Sequence, residues 1–187
     1  MKVKNIIRCI AEEADLNILG ATLLTIDEVK QLPMRLRKYG LYWWLRSPGY
    51  YPNYNAAVGY GSFYNFCVNA DIVNNAVRPV LIIRNLESSN LRIGDTFEFG
   101  DKQFEIISHD RAFCLTDIGK CAFRKDKRAS DANDYEKSDV KEYINNWFKK
   151  SINESNSEDK ENEEIKEIKE KIDKLSKEIE KIYQIIY

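Results

Sequence analysis

The sequence predicts a mixed α+β head followed by a C-terminal helix. Three observations carry this expectation. Short apolar runs at 18–24, 42–45 and 77–83 have the length and composition of strands. Residues 96–106 alternate apolar and polar side chains, the period of a β-hairpin. Two later stretches, 138–148 and 165–186, repeat apolar residues at helical spacing. A chain of 187 residues accommodates one ordinary domain plus an appendage.

Residues 1–20 start with lysines and apolar side chains, but Glu12, Glu13 and Asp15 interrupt the apolar stretch a signal peptide needs. No run approaches the about 20 apolar residues that cross a bilayer. The expectation is a soluble, cytoplasmic protein with no membrane partner. After the first strand, Thr25-Ile26-Asp27-Glu28 has the capping-box spacing, in which Thr25 and Glu28 exchange hydrogen bonds at a helix start. That helix is expected to be short, because Pro33 cannot continue it. The strand 42–45 leads through Trp43 and Trp44 into Ser47-Pro48-Gly49, read as a tight turn. The segment 77–83 reads as a buried strand.

The next region, 91–150, sets Phe97 and Phe99 against Thr96 and Glu98, then Phe104 and Ile106 against Gln103 and Glu105. Gly100-Asp101 between them suits a two-residue hairpin turn, and 112–116 reads as a third strand. From Ser138 onward, Val140, Tyr143, Ile144, Trp147 and Phe148 form one apolar stripe of a helix. Asp139 in its first turn and Lys149-Lys150 in its last suit the helix dipole. The polar stretch 151–162 reads as a flexible linker. Beyond it, in 163–187, Ile165, Ile172, Ile179 and Ile186 take a positions and Ile168, Leu175 and Ile182 take d positions of a heptad repeat. Isoleucine at nearly every core position points to a trimer over a dimer, and Glu164 can pair with Lys169 of a parallel neighbour. The alternative is a helix packed on its own head.

Between the first two strands of region 1–90 and its last lies a stretch rich in tyrosine and asparagine. Tyr50, Tyr51, Asn53, Tyr54, Asn55, Tyr60, Phe63 and Tyr64 are the candidate binding residues: tyrosine supplies rigid amphipathic contact area and asparagine adaptable hydrogen bonds. A tyrosine-rich core is the competing explanation. Trp43, Trp44, Arg46 and Arg78 are expected to frame this surface, the two arginines bonded to backbone carbonyls or an acidic partner. With 29 basic and 30 acidic residues, net charge −1, the chain as a whole has no electrostatic pull toward nucleic acid. Lys120, Arg124, Lys125, Lys127 and Arg128 form a local basic cluster that is the candidate nucleic-acid patch. Four cysteines without a CxxC pair are expected to be reduced thiols. His109 is the single histidine, so any Ser-His or Cys-His chemistry must use it, with Cys114, Cys121, Ser108 or Asp110 as partners; a surface histidine is the plainer role. The spacing of His109, Cys114 and Cys121 matches no structural zinc pattern, and neither a metal nor a cofactor is expected.

The segments YWWLRSPG, AAVGYGSF and VRPVL, with IGDTFEFGDKQFEII and NDYEKSDVKEYINNWF after them, resemble an uncharacterised domain family of Firmicutes and their phages that carries WLRSPG and GVRPAL motifs. In that family the hairpin segment comes first, whereas here the order is reversed, as in a circular permutation or two sub-modules packed together. The WLRSPG-to-VRPVL part is also similar to the C-type-lectin-like fold of formylglycine-generating enzymes and of phage variable receptor-binding proteins. The resemblance implies a binding scaffold with an exposed irregular surface, without the cysteine pair of the oxidase site. A non-enzymatic module that binds a protein partner is therefore expected, with a coiled coil assembling it. A phage- or mobile-element-borne inhibitor of a host defence nuclease, such as a CRISPR nuclease, is the second expectation. A nucleic-acid-contacting accessory protein is the third.

Overall fold

The computed structural model describes residues 9–10, 16–64, 68–126 and 128–186, with the backbone alone for 9–10, 155–167, 173 and 178–186. Met1–Lys149 form one compact unit and Lys150–Tyr187 a second. Glu12, Glu13, Asp15, Cys67 and Lys127 lie outside the described residues.

In the first unit the chain runs β1 (Cys9–Ile10), β2 (Asn17–Thr22), α1 (Ile26–Gln31), α2 (Met34–Arg37), β3 (Trp43–Pro48), β4 (Asn55–Gly59), β5 (Ser62–Tyr64), β6 (Val80–Arg84), β7 (Thr96–Phe99), β8 (Lys102–Ser108) and β9 (Arg111–Cys114). The last element, α3, spans Asp139–Ile186. The architecture is mixed α+β, with a six-stranded sheet of order β1-β7-β8-β9-β6-β2 and a three-stranded sheet of order β3-β4-β5. Strand β6 pairs with β2 on one side and with β9 on the other, both antiparallel. It thus joins the two halves of the head, 1–90 and 91–150, in one sheet.

Local chemistry accounts for the elements. The Glu28 N–H donates to Thr25 Oγ1 (3.2 Å) and the Thr25 N–H to Glu28 Oε2 (2.6 Å), the reciprocal box that starts α1. The helix stops at Gln31 because Leu32 precedes Pro33 and takes the extended conformation that proline imposes on its neighbour. The β7–β8 hairpin turns at Gly100-Asp101 in the expected register, Phe99 opposite Lys102. Phe97, Phe99, Phe104 and Ile106 are buried, as the alternation requires. Glu105 departs from it: this carboxylate is buried too, gripped by both guanidinium nitrogens of Arg35.

Two expectations are corrected. The strand β3 does not end before Ser47 but continues to Pro48, opposite Asn55. Proline is tolerated there because it ends an edge strand, where no ladder donor is lost. The reversal comes later, around Pro52, where the Tyr54 N–H donates to the Tyr51 carbonyl at 2.9 Å. The stretch 151–162 is not a break in secondary structure: helix runs through it as part of α3. It contains neither glycine nor proline, so nothing in it stops a helix, however polar it is.

The small sheet is covered on both faces. Trp43, Leu45, Ala56 and Val58 belong to one hydrophobic cluster with Leu24, Val29 and Phe113. Trp44 and Ala57 belong to another with Leu81, Phe104 and Phe123. Neighbouring residues of a strand point to opposite faces, so the two tryptophans anchor β3 in two different cores. Val140 and Ile144 of α3 complete the second of these clusters, with Trp147 and Phe148 packed against it. Among the described residues no helix is long and apolar enough to cross a membrane.

Candidate functional site

The frame residues each have a defined task. The Trp44 indole N–H donates to the Cys121 carbonyl at 2.9 Å, tying β3 to the segment before α3. Arg78 is buried, and among the described residues no carboxylate forms an ion pair with it. Its guanidinium instead donates to the carbonyls of Leu36 (2.8 Å), Cys114 (3.0 Å), Thr116 (3.1 Å) and Leu115 (3.2 Å). It lies over the rings of Phe113 (4.4 Å), Tyr39 (4.5 Å) and Trp43 (5.1 Å). Burial lowers its pKa to about 10, which leaves it charged at neutral pH. Burial, together with the Asp117 carboxylate that accepts its hydrogen bond, pushes the neighbouring Tyr39 hydroxyl up to about 12.

Arg46 sits on the Glu28 carboxylate at 3.0 and 3.1 Å, and Ser47 Oγ accepts from the Ile26 N–H at 3.0 Å. Both bonds fasten the start of α1 to β3. Burial raises the Glu28 carboxyl, but the Thr25 N–H, Arg46 and the Thr25 hydroxyl outweigh it, and its pKa falls below the ordinary value. The Arg-Ser step of the WWLRSPG run is therefore a clamp between strand and helix. Gly49 completes it, because a Cβ there would meet the Tyr54 carbonyl oxygen at 2.5 Å.

The candidate binding residues do not form one surface. Tyr50 and Tyr51, 69% and 52% exposed, stand with half-buried Tyr54 on the β3–β4 turn, ring against ring at 4.9 and 5.6 Å. The turn is held from below. Asn133 Nδ2 donates to the carbonyls of Tyr51 (3.2 Å) and Gly49 (3.4 Å), the Gly49 N–H to Tyr54 (3.1 Å), and the Ala70 N–H to the carbonyl of half-buried Asn53 (3.0 Å). Asn133 gave no signal in the sequence, since it lies far along the chain from the turn it supports. Tyr60, also exposed, stands on the β4–β5 turn at the other end of the small sheet, roughly 17 Å away for five residues of strand.

One of the expected contact residues is corrected to an interior role. Asn55 is buried, its Nδ2 donating to the Leu45 (2.6 Å) and Ala56 (3.2 Å) carbonyls, because it begins a strand covered on both faces. Phe63 and Tyr64 are half-buried against the two different cores, as adjacent strand residues must be.

A groove of about 390 Å³ that the sequence does not announce lies between α1–α2 and β8, walled by Leu24, Leu32, Leu36, Ile93, Ile106 and Ile107. Its charges are already matched: Arg35 on Glu105, Arg46 on Glu28, and Arg111 on Asp110 at 3.1 Å. The remaining candidates are dispersed. His109 is exposed beside Leu86, Leu91 and Arg92. Burial raises Cys114 to about 11 and Cys121 to about 12, so both remain thiols at neutral pH and lack nucleophilic thiolate character. Among the described residues no group of three His, Cys, Asp or Glu side chains is placed to hold a metal.

The basic cluster is interleaved with acids. Lys120, Lys125 and Arg128 are exposed and Arg124 half-buried, but the backbone N–H of Lys125 is held by Asp139 (2.6 Å) and that of Arg128 by Asp126 (3.1 Å). In the second unit, Ile168, Ile172 and Leu175 are exposed along α3; the side chains of Ile165, Ile179, Ile182 and Ile186 lie outside those described. No protein-family model, curated protein or solved structure matches the chain.

Proposed function

We propose that the chain is a non-enzymatic binding module that recognises a protein through the β3–β4 turn, on a C-type-lectin-like head assembled by a C-terminal coiled coil. One observation carries the reading: three tyrosines packed edge to face project from a turn whose backbone is fixed by Asn133, Gly49 and Ala70. Such a turn offers amphipathic contact area whose ordering entropy is already spent, which is how aromatic anchors dominate protein interfaces. The neutral thiols and the matched charges of the groove support binding over catalysis. The WLRSPG and VRPVL resemblance supports a phage or mobile-element origin and a cytoplasmic site of action.

The test is affinity capture of a partner from a lysate of the source organism, compared with a Tyr50→Ser/Tyr51→Ser variant. One protein is expected to be enriched by the natural chain and to drop by about tenfold or more with the variant, the effect of losing interface anchors. Equal recovery by both chains overturns the reading. For the coiled coil, light scattering is expected to give a trimer that becomes a monomer when 160–187 are removed; a monomeric full-length chain argues against it.

A further inference from the structure

The second turn of the small sheet is built against its own conformational preference. Gly59 and Ser62 close the β4–β5 hairpin over Tyr60-Gly61, both with positive φ, 52° and 86°. This is the type I′ form, which favours Asn-Gly and disfavours a bulky aromatic at its first position. Gly61 is needed: besides its φ, a Cβ would lie 2.8 Å from the Met34 sulfur. Tyr60 is not needed by the fold, since 65% of it is exposed and its ring leans edge-on against Tyr42 at 5.8 Å. A residue kept in an unfavourable backbone conformation without a core to fill points to a role outside the fold.

Its surroundings describe what it meets. Met34, 53% exposed, lies over Gly61 beside Tyr60. Lys38 follows, its Cα 3.9 Å from the same Cβ position, and the Arg37 guanidinium lies 5.5 Å over the Phe63 ring. Lys30, Arg35, Arg46, Lys102, Arg111, Lys137 and Lys141 sit on carboxylates, whereas Arg84, Arg92, Lys120, Arg124, Lys125 and Arg128 form no ion pair among the described residues but have no exposed apolar pair beside them on the small sheet's turn. Arg37 and Lys38 have no ion-pair partner among the described residues, and the buried Nε of Arg37 has no hydrogen-bond acceptor. The patch is thus an apolar pair bordered by two unmatched cations.

We infer that Met34, Arg37, Lys38 and Tyr60 form a second docking surface, for a protein segment that sets a carboxylate beside a large apolar side chain. The apolar side chain covers Met34 and Tyr60, and the carboxylate pairs with Arg37 and Lys38. This surface stands apart from the β3–β4 turn and does not depend on it. The net charge of −1 favours a protein over a nucleic acid, which is drawn by a broad positive field.

The experiment selects a displayed random peptide library on the full chain and titrates the enriched peptides, made synthetically, by fluorescence polarisation. Peptides with Asp or Glu next to Leu, Ile, Phe or Trp are expected. Tyr60→Asn is expected to weaken them about tenfold. The same change installs Asn-Gly in the turn and leaves Tm unchanged or raised. Arg37→Gln/Lys38→Gln is expected to weaken the same peptides and remove the salt dependence of their binding. Tyr50→Ser/Tyr51→Ser is expected to leave their affinity unchanged. Three results overturn the inference: no acidic-apolar class enriched, full affinity retained by Tyr60→Asn, or loss of binding with Tyr50→Ser/Tyr51→Ser. Binding of labelled oligothymidine that is abolished by the Arg37→Gln/Lys38→Gln variant also overturns it, by assigning the cations to nucleic acid.

Discussion

The β3–β4 hairpin carries two aromatic pairs with opposite fates. Trp43 and Trp44 are fully buried, one in each core, whereas Tyr50 and Tyr51 stand largely in solvent. Side-chain size does not separate them; backbone position does. The tryptophans lie inside a strand covered on both faces, where successive residues are sent into different cores. The tyrosines lie past the end of that strand, beyond the reach of either. A run of aromatic residues is thus divided by where the strand stops, at Pro48, and the chain reverses only beyond it, around Pro52, later than Ser47-Pro48-Gly49 suggests.

The largest expected effects test the buried half of this comparison. Trp43→Ala and Trp44→Ala are each expected to cost about 3–5 kcal/mol, the range for removing a fully buried large aromatic. Equilibrium urea unfolding measures both. Trp44→Ala also orphans the Cys121 carbonyl, so it should be the costlier. If Trp43→Ala is nearly free, one of the two cores contributes little and the small sheet is effectively one-sided. Arg78→Lys belongs in the same class, because a point charge cannot serve four carbonyls that a planar fork reaches together.

How far the sequence reveals these roles depends on the distance over which each is decided. The capping box of α1 and the Gly100-Asp101 hairpin were readable because they are settled within a few residues of chain. The burial of Asn55 was not, since it depends on a sheet covered on both faces. Neither was that of Glu105, whose partner Arg35 is 70 positions away. The separation of Tyr50 from Tyr60 follows from strand register, which composition does not carry. The helix through 151–162 was missed for a different reason: a polar stretch without glycine or proline is compatible with either coil or helix.

Intermediate effects are expected where β3 is clamped to α1. Thr25→Ala removes one side of the capping box and is expected to cost about 1 kcal/mol. The clamp also predicts a pH dependence. Because the Glu28 carboxyl has a lower pKa folded than unfolded, its contribution is present above the unfolded value and lost as pH falls through the folded one. Unfolding followed by fluorescence from pH 6 downward is expected to show stability declining below about pH 4.5, with a shallower decline in Glu28→Gln. Parallel curves for the two proteins would remove Glu28 from the clamp and leave Arg46 without a purpose.

The smallest effect is expected at the exposed pair, and it discriminates most sharply. Tyr50→Ser/Tyr51→Ser removes two largely exposed rings that stand edge to face with each other and, at Tyr51, with half-buried Tyr54, while the bonds of Asn133, Gly49 and Ala70 that hold the turn run entirely through its backbone carbonyls and amides. The double change is therefore expected to alter stability by about 0.5 kcal/mol or less per residue, the scale of surface substitutions away from structural features. Urea midpoints with an unchanged slope would check this, since an altered slope would signal a loosened head. Should the variant instead lose several kcal/mol, the tyrosines are structural like the tryptophans, and the turn's claim to be a contact surface falls with the comparison.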